Sequence, residues 1–491
     1  MSIAVEKELP KGWSSCKIEE VVDVIRGASP RPKGDPRYFG GEIPWIMISD
    51  ISREKGKIIT KTKDHVTVEG SKKSRFLKKG SLILSNSGTV CVPKILGVDG
   101  CIHDGFVTFP NIEKNLQVLF MYYLFEYIRP RIINENKQGI TQVNLNTTIV
   151  KNIQFLLPPL NEQKRIVAKI EELFSLVDSA KDTLEKTKIL LKQYRQSILK
   201  HAFEGKLTEN LDPDLNNFSP KNFLNNIFQS RKKIYDDKCK LAEKSKLRKP
   251  KKPDNLTDLP LPSKYTLYKI PVHWDWCSLN SLSSQITDGE HNNPKYTERG
   301  NLLLSAKNIR DGFVAYDDVH YINDSDFQSA LERCKPEKHD VLIVSVGATT
   351  GRSAIVKETI PFAVLRSVLL IKPEHINSFY VFRFLQSPMA KKWLNQASGS
   401  TAQAHLYIRD TKIFPFPLCS PNEQKVIVEK IEESFSLIDK NEILIDKLLL
   451  QYSQIKNSIL KQAFEGKLVP QDPNDEPAEV LLQRIKEEKK K

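Results

Sequence analysis

The sequence predicts an α+β protein built from two copies of one frame, in which a mixed α/β globule is followed by a long helical block. Two observations predict this class: a direct repeat at a constant offset of 261 residues, and a heptad pattern of apolar residues in each copy. The 491 residues are 40% hydrophobic and 27% charged, which is typical of a chain with folded cores rather than a disordered one.

The repeat is the strongest signal in the sequence. Asn161–Lys164 recurs as Asn422–Lys425, and Ala202–Leu207 recurs as Ala463–Leu468. Between positions 161 and 207, about 26 of 47 residues match their counterparts, far above chance. The same offset joins anchors near the start of each half, namely Pro10, Trp13 and Cys16 with Pro271, Trp274 and Cys277. The duplication therefore covers whole halves, whose divergent segments either read two different targets or reflect neutral drift.

Composition and the repeat divide the chain into six segments. They are a first globule (1–157), a first helical block (158–210), a Lys/Pro-rich linker helix (211–262), a second globule (263–417), a second helical block (418–469) and a charged C-terminal tail (470–491). The stretch from Arg231 to Lys252 holds eleven basic and three acidic residues, about half of the net charge of +15. This stretch is either a phosphate-contacting arm or a solvated linker helix.

Each helical block carries apolar residues at alternating spacings of four and three, which is the pattern of a coiled-coil seam. The first seam is Ile166, Ile170, Val177, Leu184, Leu191 and Ile198, with Leu173, Ala180 and Tyr194 between them and Thr187 at the one step without an apolar residue. The second is Ile427, Ile431, Ile438, Ile445, Tyr452 and Ile459, with Leu448 and Ile455 between them. The simplest partner for each seam is its own copy. The spacing leaves open whether the two helices run parallel or antiparallel.

The globules combine strand-like and helix-like runs. Ser81–Ser85 and Val341–Ser345 predict buried strands, and Val118–Phe125 and Phe379–Leu385 predict a helix ahead of each helical block. The aromatic residues in these runs fit a hydrophobic core better than base stacking.

Catalytic and metal-binding motifs fail in detail. Gly347–Ser353 follows a predicted strand, but only three residues separate its glycines, and Arg replaces the lysine of a phosphate loop. A nuclease-like pattern of Pro213-Asp214 and Asp236-Asp237-Lys238 falls on the lysine-rich linker, whereas its chemistry needs buried strands. The nine histidines and seven cysteines show no zinc-ligand spacing. We therefore expect no catalytic residue, no metal and no cofactor in this chain.

Targeting and membrane signals are also missing from the sequence. No run of about 18 apolar residues predicts a membrane span, and the first residues lack the basic start and apolar core of a signal peptide. We expect a cytoplasmic protein that does not contact a membrane.

The basic excess favours nucleic acid as the binding partner. A Gly/Pro-rich loop of the first globule carries Arg26, Arg31, Lys33, Arg37 and Tyr38, and the matching place in the second carries His291, Asn292, Asn293, Lys295 and Tyr296. Arg and Lys suit guanine edges and Asn suits adenine edges, so the loops fit different base sequences; an ordinary solvated loop is the alternative. A second pair of loops carries Gln138, Thr141 and Gln142 in one half and Thr401 and Gln403 in the other. These residues suit DNA contact or, alternatively, a helix cap.

The arrangement resembles the specificity subunit of a type I restriction–modification system. The resemblance rests on the helical-block motifs Pro-Leu-Asn-Glu-Gln-Lys-Arg-Ile-Val and Ile-Leu-Lys-x-Ala-Phe-Glu-Gly-Lys-Leu and on their alternation with two divergent globules, and it covers nearly the whole chain. It implies that the globules are target recognition domains, each reading one half of a bipartite double-stranded DNA site. It also implies that the helical blocks pair antiparallel and separate the globules, with pseudo-two-fold symmetry, and that the chain is not catalytic.

The resemblance further implies partner subunits. Two methyltransferase subunits, which use S-adenosylmethionine, and ATP- and Mg-dependent endonuclease/translocase subunits would assemble on this chain. A free-standing sequence-specific DNA-binding protein and a coiled-coil scaffold without a DNA role remain as alternatives. A fused restriction–modification enzyme is excluded because 491 residues leave no room for a methyltransferase beside the duplicated frame.

Overall fold

The computed structural model describes residues 9–112, 115–136, 145–210, 218–250, 252–256, 261, 268–292, 294–398 and 404–489. These residues form two compact units. The first unit comprises Met1–Glu185 with Asp446–Lys491, and the second comprises Lys186–Ile445. Each unit therefore joins one globule to the start of one helical block and the end of the other.

The first unit alternates short strands and helices up to the first helical block. Its strands are β1 (Ser14–Lys17), β2 (Ile25–Arg26), β3 (Phe39–Ile46), β4 (Ile58–Ile59), β5 (Asp64–Val66), β6 (Arg75–Leu77), β7 (Leu82–Ser85), β8 (Pro93–Leu96), β9 (Gly100–Ile102), β10 (Phe106–Thr108) and β11 (Gln154–Leu157). Its helices are α1 (Ile18–Val21), α2 (Ile48–Arg53), α3 (Val68–Lys72), α4 (Val118–Asn136) and α5 (Thr147–Lys151), and the first helical block forms α6 (Leu160–Phe203).

The second unit repeats this plan after the linker helix α7 (Pro220–Lys244). Its strands are β12 (Asp275–Ser278), β13 (Ser283–Asp288), β14 (Tyr296–Thr297), β15 (Asn301–Leu304), β16 (His320–Ile322), β17 (Val341–Val344), β18 (Ser353–Ile355), β19 (Phe362–Val364), β20 (Val368–Pro373) and β21 (Pro415–Leu418). Its helices are α8 (Asp324–Arg333), α9 (Ser378–Gln386), α10 (Pro388–Ser398) and α11 (Ile408–Lys412). The second helical block forms α12 (Pro421–Phe464), and α13 (Ala478–Glu488) follows it.

The two globules share the central strand order of both sheets although their sequences diverge; the edge strands β4 and β6 of the first and β14 of the second have no counterpart. In the first, one sheet runs β2-β10-β7-β8-β4 and the other β5-β3-β9-β6; in the second, the sheets run β13-β20-β17-β18 and β14-β16-β15-β19. In both, an otherwise antiparallel sheet contains one parallel pair, β3 with β9 and β15 with β19. A terminal strand pair closes each globule, β1 with β11 and β12 with β21, and its two registers differ by the repeat offset. The internal duplication therefore extends to the fold.

The predicted strands and helices of the globules are confirmed. All four residues of β7 and all four of β17 are buried, as expected for inner strands covered on both faces. Helices α4 and α9 occupy the predicted aromatic runs, and α9 begins where the Asn377 side chain accepts the backbone N–H groups of Phe379 and Tyr380. Their aromatic residues Phe120, Phe125, Tyr380 and Phe384 are buried, which confirms the core interpretation.

The two long helices run antiparallel within each unit. In the first unit, Asp178 of α6 pairs with Lys456 of α12 at 2.6 Å, while Lys181, one turn later, lies over the ring of Tyr452, one turn earlier. In the second unit, Arg195 of α6 pairs with Asp439 and Glu442 of α12, and the Lys430 ammonium donates to the Leu207 carbonyl beyond the end of α6. Pairing of the two helical blocks, which the sequence predicts, thus has the antiparallel direction that the resemblance implies.

The residues that form the middle of the seam differ from those that the heptad pattern predicts. Ile166, Ile170 and Ile198 of α6 and Ile427, Ile431, Ile438, Ile445 and Ile459 of α12 are buried, and Val177, Leu184, Leu191 and Tyr452 are partly buried. Placing Ala180, Tyr194, Leu448 and Ile455 on the seam was wrong, because these four residues are exposed. Lys181, Arg195, Leu449 and Lys456, each one residue later, take their places. The charged members pair across the helices, so the seam is polar where the apolar pattern is weakest.

The C-terminal segment is a docked helix rather than a free tail. The apolar face of α13 buries Ala478, Leu481, Leu482 and Ile485 in the core of the first unit. The backbone N–H of Ala478 donates to the Gly12 carbonyl at 2.9 Å, close to the start of the first globule. The charged residues of α13 lie on its other face, which explains why composition alone indicated a tail.

Within the described part of the chain, no helix combines the length and apolarity that crossing a membrane requires.

Candidate nucleic-acid interface

The repeated glutamines at the start of each long helix fix that helix to its globule. Gln163 Nε2 donates to the Pro158 carbonyl at 3.0 Å, and its Oε1 accepts the backbone N–H of Gln117 at 3.1 Å. Gln424 makes the same two bonds in the second unit, with Cys419 at 2.9 Å and Asn377 at 3.1 Å. Both glutamine side chains are buried, so each unmade bond would cost free energy. The repeated Asn-Glu-Gln-Lys motif is therefore a structural joint.

The repeated glycine at the end of each long helix makes the second joint. Gly205 has φ +77°, and a Cβ there would lie 2.2 Å from Cγ of Pro271. Gly466 has φ +69°, and its Cβ would lie 2.6 Å from Cγ of Pro10. Only glycine combines this left-handed conformation with the close approach of proline. Each globule is thus held by the start of one long helix and the end of the other.

A buried carboxylate completes the joint in the second unit. Glu423 accepts hydrogen bonds from Nε1 of Trp274 at 3.0 Å and from the Thr208 hydroxyl at 2.7 Å, and Nε2 of His273 lies 3.2 Å from the same carboxylate. Three side chains from two segments thus converge on one acid. This network connects the end of α6, the start of the second globule and the start of α12.

The equivalent carboxylate of the first unit, Glu162, has fewer partners. Val469 and Gly12 occupy the places of the threonine and the histidine, so two donors are missing. Within the described residues, Glu162 Oε1 and Trp13 Nε1 are buried without a hydrogen bond. Burial raises the pKa of Glu162, and neighbouring Trp13 and Arg165 offset only part of this effect. The two joints therefore share the same helices and turns but differ in how many hydrogen bonds their buried carboxylate accepts.

The basic loop of the first globule collects three of its predicted residues around one histidine. Arg31 and Lys33 are exposed loop residues, whereas Arg26 ends strand β2, which corrects its assignment to the loop. Burial lowers the pKa of His103; Asp104 raises it, and Arg31, Lys33 and Arg26 lower it again. Arg26 Nε donates to the Asp104 carbonyl at 2.8 Å. The cluster offers exposed cations beside an imidazole that is neutral at pH 7, a combination that suits phosphates and base edges.

Arg37 and Tyr38 behave differently from each other. Arg37 is exposed and held by Asp35 through a contact of 2.7 Å, and hydrogen bonds from Arg37 hold the pKa of Asp35 below its usual value. Tyr38 is only 5% exposed, and its hydroxyl lies 2.6 Å from the Lys73 ammonium, so the structure does not present the predicted DNA-contacting tyrosine at the surface. The backbone at this position is also tightly packed, because a Cβ at Gly70 would lie 2.1 Å from the Tyr38 carbonyl oxygen.

The matching loop of the second globule is locally balanced in charge. The Arg333 guanidinium contacts the Asp288 carboxylate, and His291 Nε2 lies 2.7 Å from Asp288 and 3.1 Å from Arg333. Burial would raise the pKa of Asp288, but hydrogen bonds from Arg333 and His291 bring it below its usual value. His291 is exposed beside this ion pair, and its Nε2 is held by both partners of the pair.

The neighbouring residues of this loop present amide and aromatic groups. Asn292 and Lys295 are anchored through their backbone N–H groups, which donate to Glu290 at 2.7 Å and to Asp326 at 3.3 Å, so both side chains stay exposed. Tyr296 is exposed on β14 and stacks on His320 with ring centroids 4.4 Å apart. The second loop therefore offers amide, ammonium and aromatic surfaces where the first offers guanidinium and ammonium groups.

Six predicted contact residues lie outside the described residues: Gln138, Thr141, Gln142, Asn293, Thr401 and Gln403.

Sequence reasoning missed three residues that belong to these clusters. His103 and Asp104 reach the first loop from the turn between β9 and β10, and Arg333 reaches the second from the end of α8. They lie between 42 and 78 residues from their partners along the chain. Only the sheet topology brings them together, so no local pattern could have identified them.

The motifs that resembled catalytic sites are ordinary structure where the structure describes them, and Pro213 and Asp214 lie outside the described residues. Gly347 and Gly351 have positive φ in the turn of an antiparallel hairpin between β17 and β18, whereas a phosphate loop leads from a strand into a helix. Asp237 is an exposed residue of α7, 3.9 Å from Lys240. In the described ranges, no group of three or more His, Cys, Asp or Glu side chains could hold a metal ion.

Comparison with known proteins identifies a family. A family model described as the type I restriction modification DNA specificity domain matches residues 10–189 and 298–450. The chain is 29% identical over 372 residues to the specificity subunit of the Escherichia coli type I restriction enzyme EcoBI, covering 73% of this chain and 69% of that protein. It is 23% identical over 516 residues to the EcoKI specificity subunit of Escherichia coli strain K12, covering 98% and 96%.

A solved structure shows the same fold. It concerns complex assembly and conformational transition in a type I restriction–modification system, and one of its chains aligns with a TM-score of 0.61 at 17% identity, covering 94% of this chain and all of that one.

Proposed function

Because the chain belongs to the family of type I restriction–modification DNA specificity subunits, the non-catalytic recognition components of those systems, we propose that it reads a bipartite double-stranded DNA site. Each globule contacts one half of the site. The observation that supports this most is that two globules with the same central strand order carry loops of different chemistry, cationic around His103 and mixed around His291. Equal frames with unequal loops suit the reading of two unrelated half-sites.

Exchange of one globule tests this proposal. The strand pairs β1–β11 and β12–β21 close the globules, so they mark the bounds of a replaceable segment, which must itself supply the backbone N–H that Gln163 or Gln424 accepts. Replacing residues 14–157 with the equivalent segment of another specificity subunit should change one half of the methylated site and leave the other unchanged. Methylome sequencing measures both halves. The reciprocal exchange of residues 275–418 is the matched control, and a change in both halves after either exchange would contradict the proposal.

The long helices supply a docking surface that occurs twice. Three pairs of residues related by the repeat are exposed and apolar in both members: Leu176 and Leu437, Ile189 and Leu450, Tyr194 and Ile455. Each unit carries one member of every pair, so each has an equivalent apolar surface. Exposed apolar groups of this kind mark protein interfaces. We infer that two copies of one methyltransferase subunit dock there, with endonuclease/translocase subunits joining the assembly. The same proposal assigns S-adenosylmethionine, ATP and Mg to those partners and no cofactor to this chain.

Stoichiometry tests this docking. Leu450→Gln with Ile455→Gln removes apolar surface from the first unit only, so native mass spectrometry should find one methyltransferase copy per chain instead of two. Ile189→Gln with Tyr194→Gln should do the same for the second unit. Leu190→Gln is the control, because Leu190 is 60% exposed but its counterpart is Gln451, so it lies outside the repeated set. Two copies retained in both double variants would contradict this surface.

A further inference from the structure

The linker helix α7 is a fixed part of the second unit. It begins with a Ser219 cap and Pro220 in its first turn, and it buries Ile227 in the core. Arg231, 8% exposed, donates to Glu374 at 2.8 Å through Nε and to the Ser283 carbonyl at 3.1 Å through Nη2. A buried arginine of this kind is costly to leave unpaired, so these bonds fix the helix on the edge of β13 and β20. Because it is fixed there, α7 is more than a solvated linker.

The outward face of α7 is polar and basic. Opposite the buried residues, the helical period places amides on the first half of the helix and lysines on the second half. In order along the face they are Asn222, Asn226, Gln229, Lys233, Asp237, Lys240 and Lys244, all exposed. Amide side chains and lysines both contact DNA phosphates. The exposed carboxylates Asp236, Asp237 and Glu243 lie among or beside them, and Asp237 is 3.9 Å from Lys240.

Most cations on and beside this face have no counter-charge. In the part of the chain that the structure describes, Lys232, Lys233, Lys238 and Lys244 form no ion pair, whereas Lys249 is paired with Glu243. The stretch from Arg231 to Lys252 has eight more basic than acidic residues. Uncompensated ammonium groups on a rigid helix raise the local concentration of polyanions and release counterions when they meet phosphates.

The position of α7 separates it from the candidate reading loop. Arg231 contacts Ser283, the first residue of β13, whereas Asp288 and His291 lie at the other end of that strand. Five residues of strand span about 16 Å at roughly 3.3 Å per residue. That distance is about five steps along DNA at roughly 3.4 Å per step. At that separation, α7 and the loop lie too far apart to contact the same base pair.

We propose that the outward face of α7 is a phosphate-binding arm that holds duplex DNA next to the second half-site without reading its sequence. This inference rests on the proposed function, because it takes the second globule as a DNA reader. The arm adds affinity to every sequence equally. A protein partner is the competing ligand, because Ile234 and Leu241 expose apolar surface beside the same face.

Salt dependence of binding tests the arm. The full chain in complex with its methyltransferase subunits is compared with Lys233→Gln/Lys240→Gln/Lys244→Gln, using a duplex that carries the methylated site and a scrambled duplex of equal length. Each lost phosphate contact lowers the slope of log affinity against log salt by about 0.9. If all three contacts are lost, the variant loses affinity less steeply with salt than the wild type. Between about 50 and 200 mM salt, its fold loss of affinity should be roughly 40 times smaller, on both duplexes. The charge-retaining variant Lys233→Arg/Lys240→Arg/Lys244→Arg should match the wild type.

The possible outcomes separate the arm from the proposed function. An unchanged slope in the glutamine variant would overturn the arm, whatever the specificity of the complex. Loss of methyltransferase copies with an unchanged slope would assign the face to a protein partner. A wild-type complex that binds both duplexes equally, with the slope still reduced in the variant, would overturn the bipartite site and leave the arm standing.

Discussion

The two units share the glutamine contacts where globule meets long helix, apart from the unequal carboxylates Glu162 and Glu423, and they differ at their loops. Gln163 and Gln424 form the same pair of hydrogen bonds, and Lys456 with Asp178 repeats, at the offset of the duplication, the ion pair of Arg195 with Asp439. The loops share no such bond. The first gathers cations around His103, whereas the second balances Arg333 with Asp288.

This difference shows where the duplicated sequence is constrained by packing. Several side chains that the two halves share, such as Gln163 with Gln424 and Asp178 with Asp439, are buried or bridge the long helices, so changing one copy would leave an unsatisfied partner. Loop side chains contact solvent, where a substitution costs little stability. The frame can therefore stay the same while the recognition surface changes.

The largest expected effect comes from removing the second globule, so that the end of α6 from a second copy takes the place of the end of α12. The end of α12 contributes Ile459, Leu460, Ala463 and Phe464 to the core of the first unit, and the end of α6 carries the identical residues Ile198, Leu199, Ala202 and Phe203. A fragment of residues 1–212 should therefore dimerise, each copy supplying this helix end to the other. With the methyltransferase present, the dimer should direct methylation of a palindrome made of the first half-site, measured by methylome sequencing.

The fragment lacks α13 and its buried Leu481, Leu482 and Ile485, so its dimer should be less stable than the first unit. Restoring residues 470–491 through a flexible linker is the matched control and should strengthen dimerisation. A fragment that stays monomeric in both forms, with the methyltransferase present, would show that the two helix ends are not equivalent.

Periodicity and repetition were enough to predict the frame. The offset of 261 located both globules, and the heptads located both long helices, because buried stripes leave a regular trace in sequence. The phase of the seam was harder to predict, since Leu448, Leu449 and Leu450 are equally apolar and only contacts across the helices select Leu449. At the loops, Tyr38 turned inward and Arg333 joined from a distant helix, outcomes decided by topology that no local pattern carries. The predicted base contacts themselves stay predictions.

A smaller effect is expected from changing single loop residues. Arg31→Ala should weaken DNA binding by about 1–3 kcal/mol if it reads a guanine, and it should relax specificity in the first half-site only. His291→Ala should relax only the second half-site and leave the salt dependence unchanged, since Asp288 and Arg333 already balance the charge there. Binding to duplexes altered in one half at a time measures both variants. Unchanged affinity and specificity in both would place these loops outside the interface.

The smallest effect concerns the unequal carboxylates of the two joints. Glu423→Gln removes one acceptor oxygen from a site where Trp274 and Thr208 both donate, so it should lower the free energy of unfolding by about 1–3 kcal/mol. Glu162 has a raised pKa in the folded state, so its contribution to stability is present at low pH and is lost as pH rises through that value. At neutral pH its charge is unfavourable, so Glu162→Gln should leave stability equal or higher. Urea denaturation of the full chain at about pH 5 and pH 7 compares the free energies of unfolding of the two variants. Equal destabilisation by both variants at pH 7 would contradict the difference between the two joints.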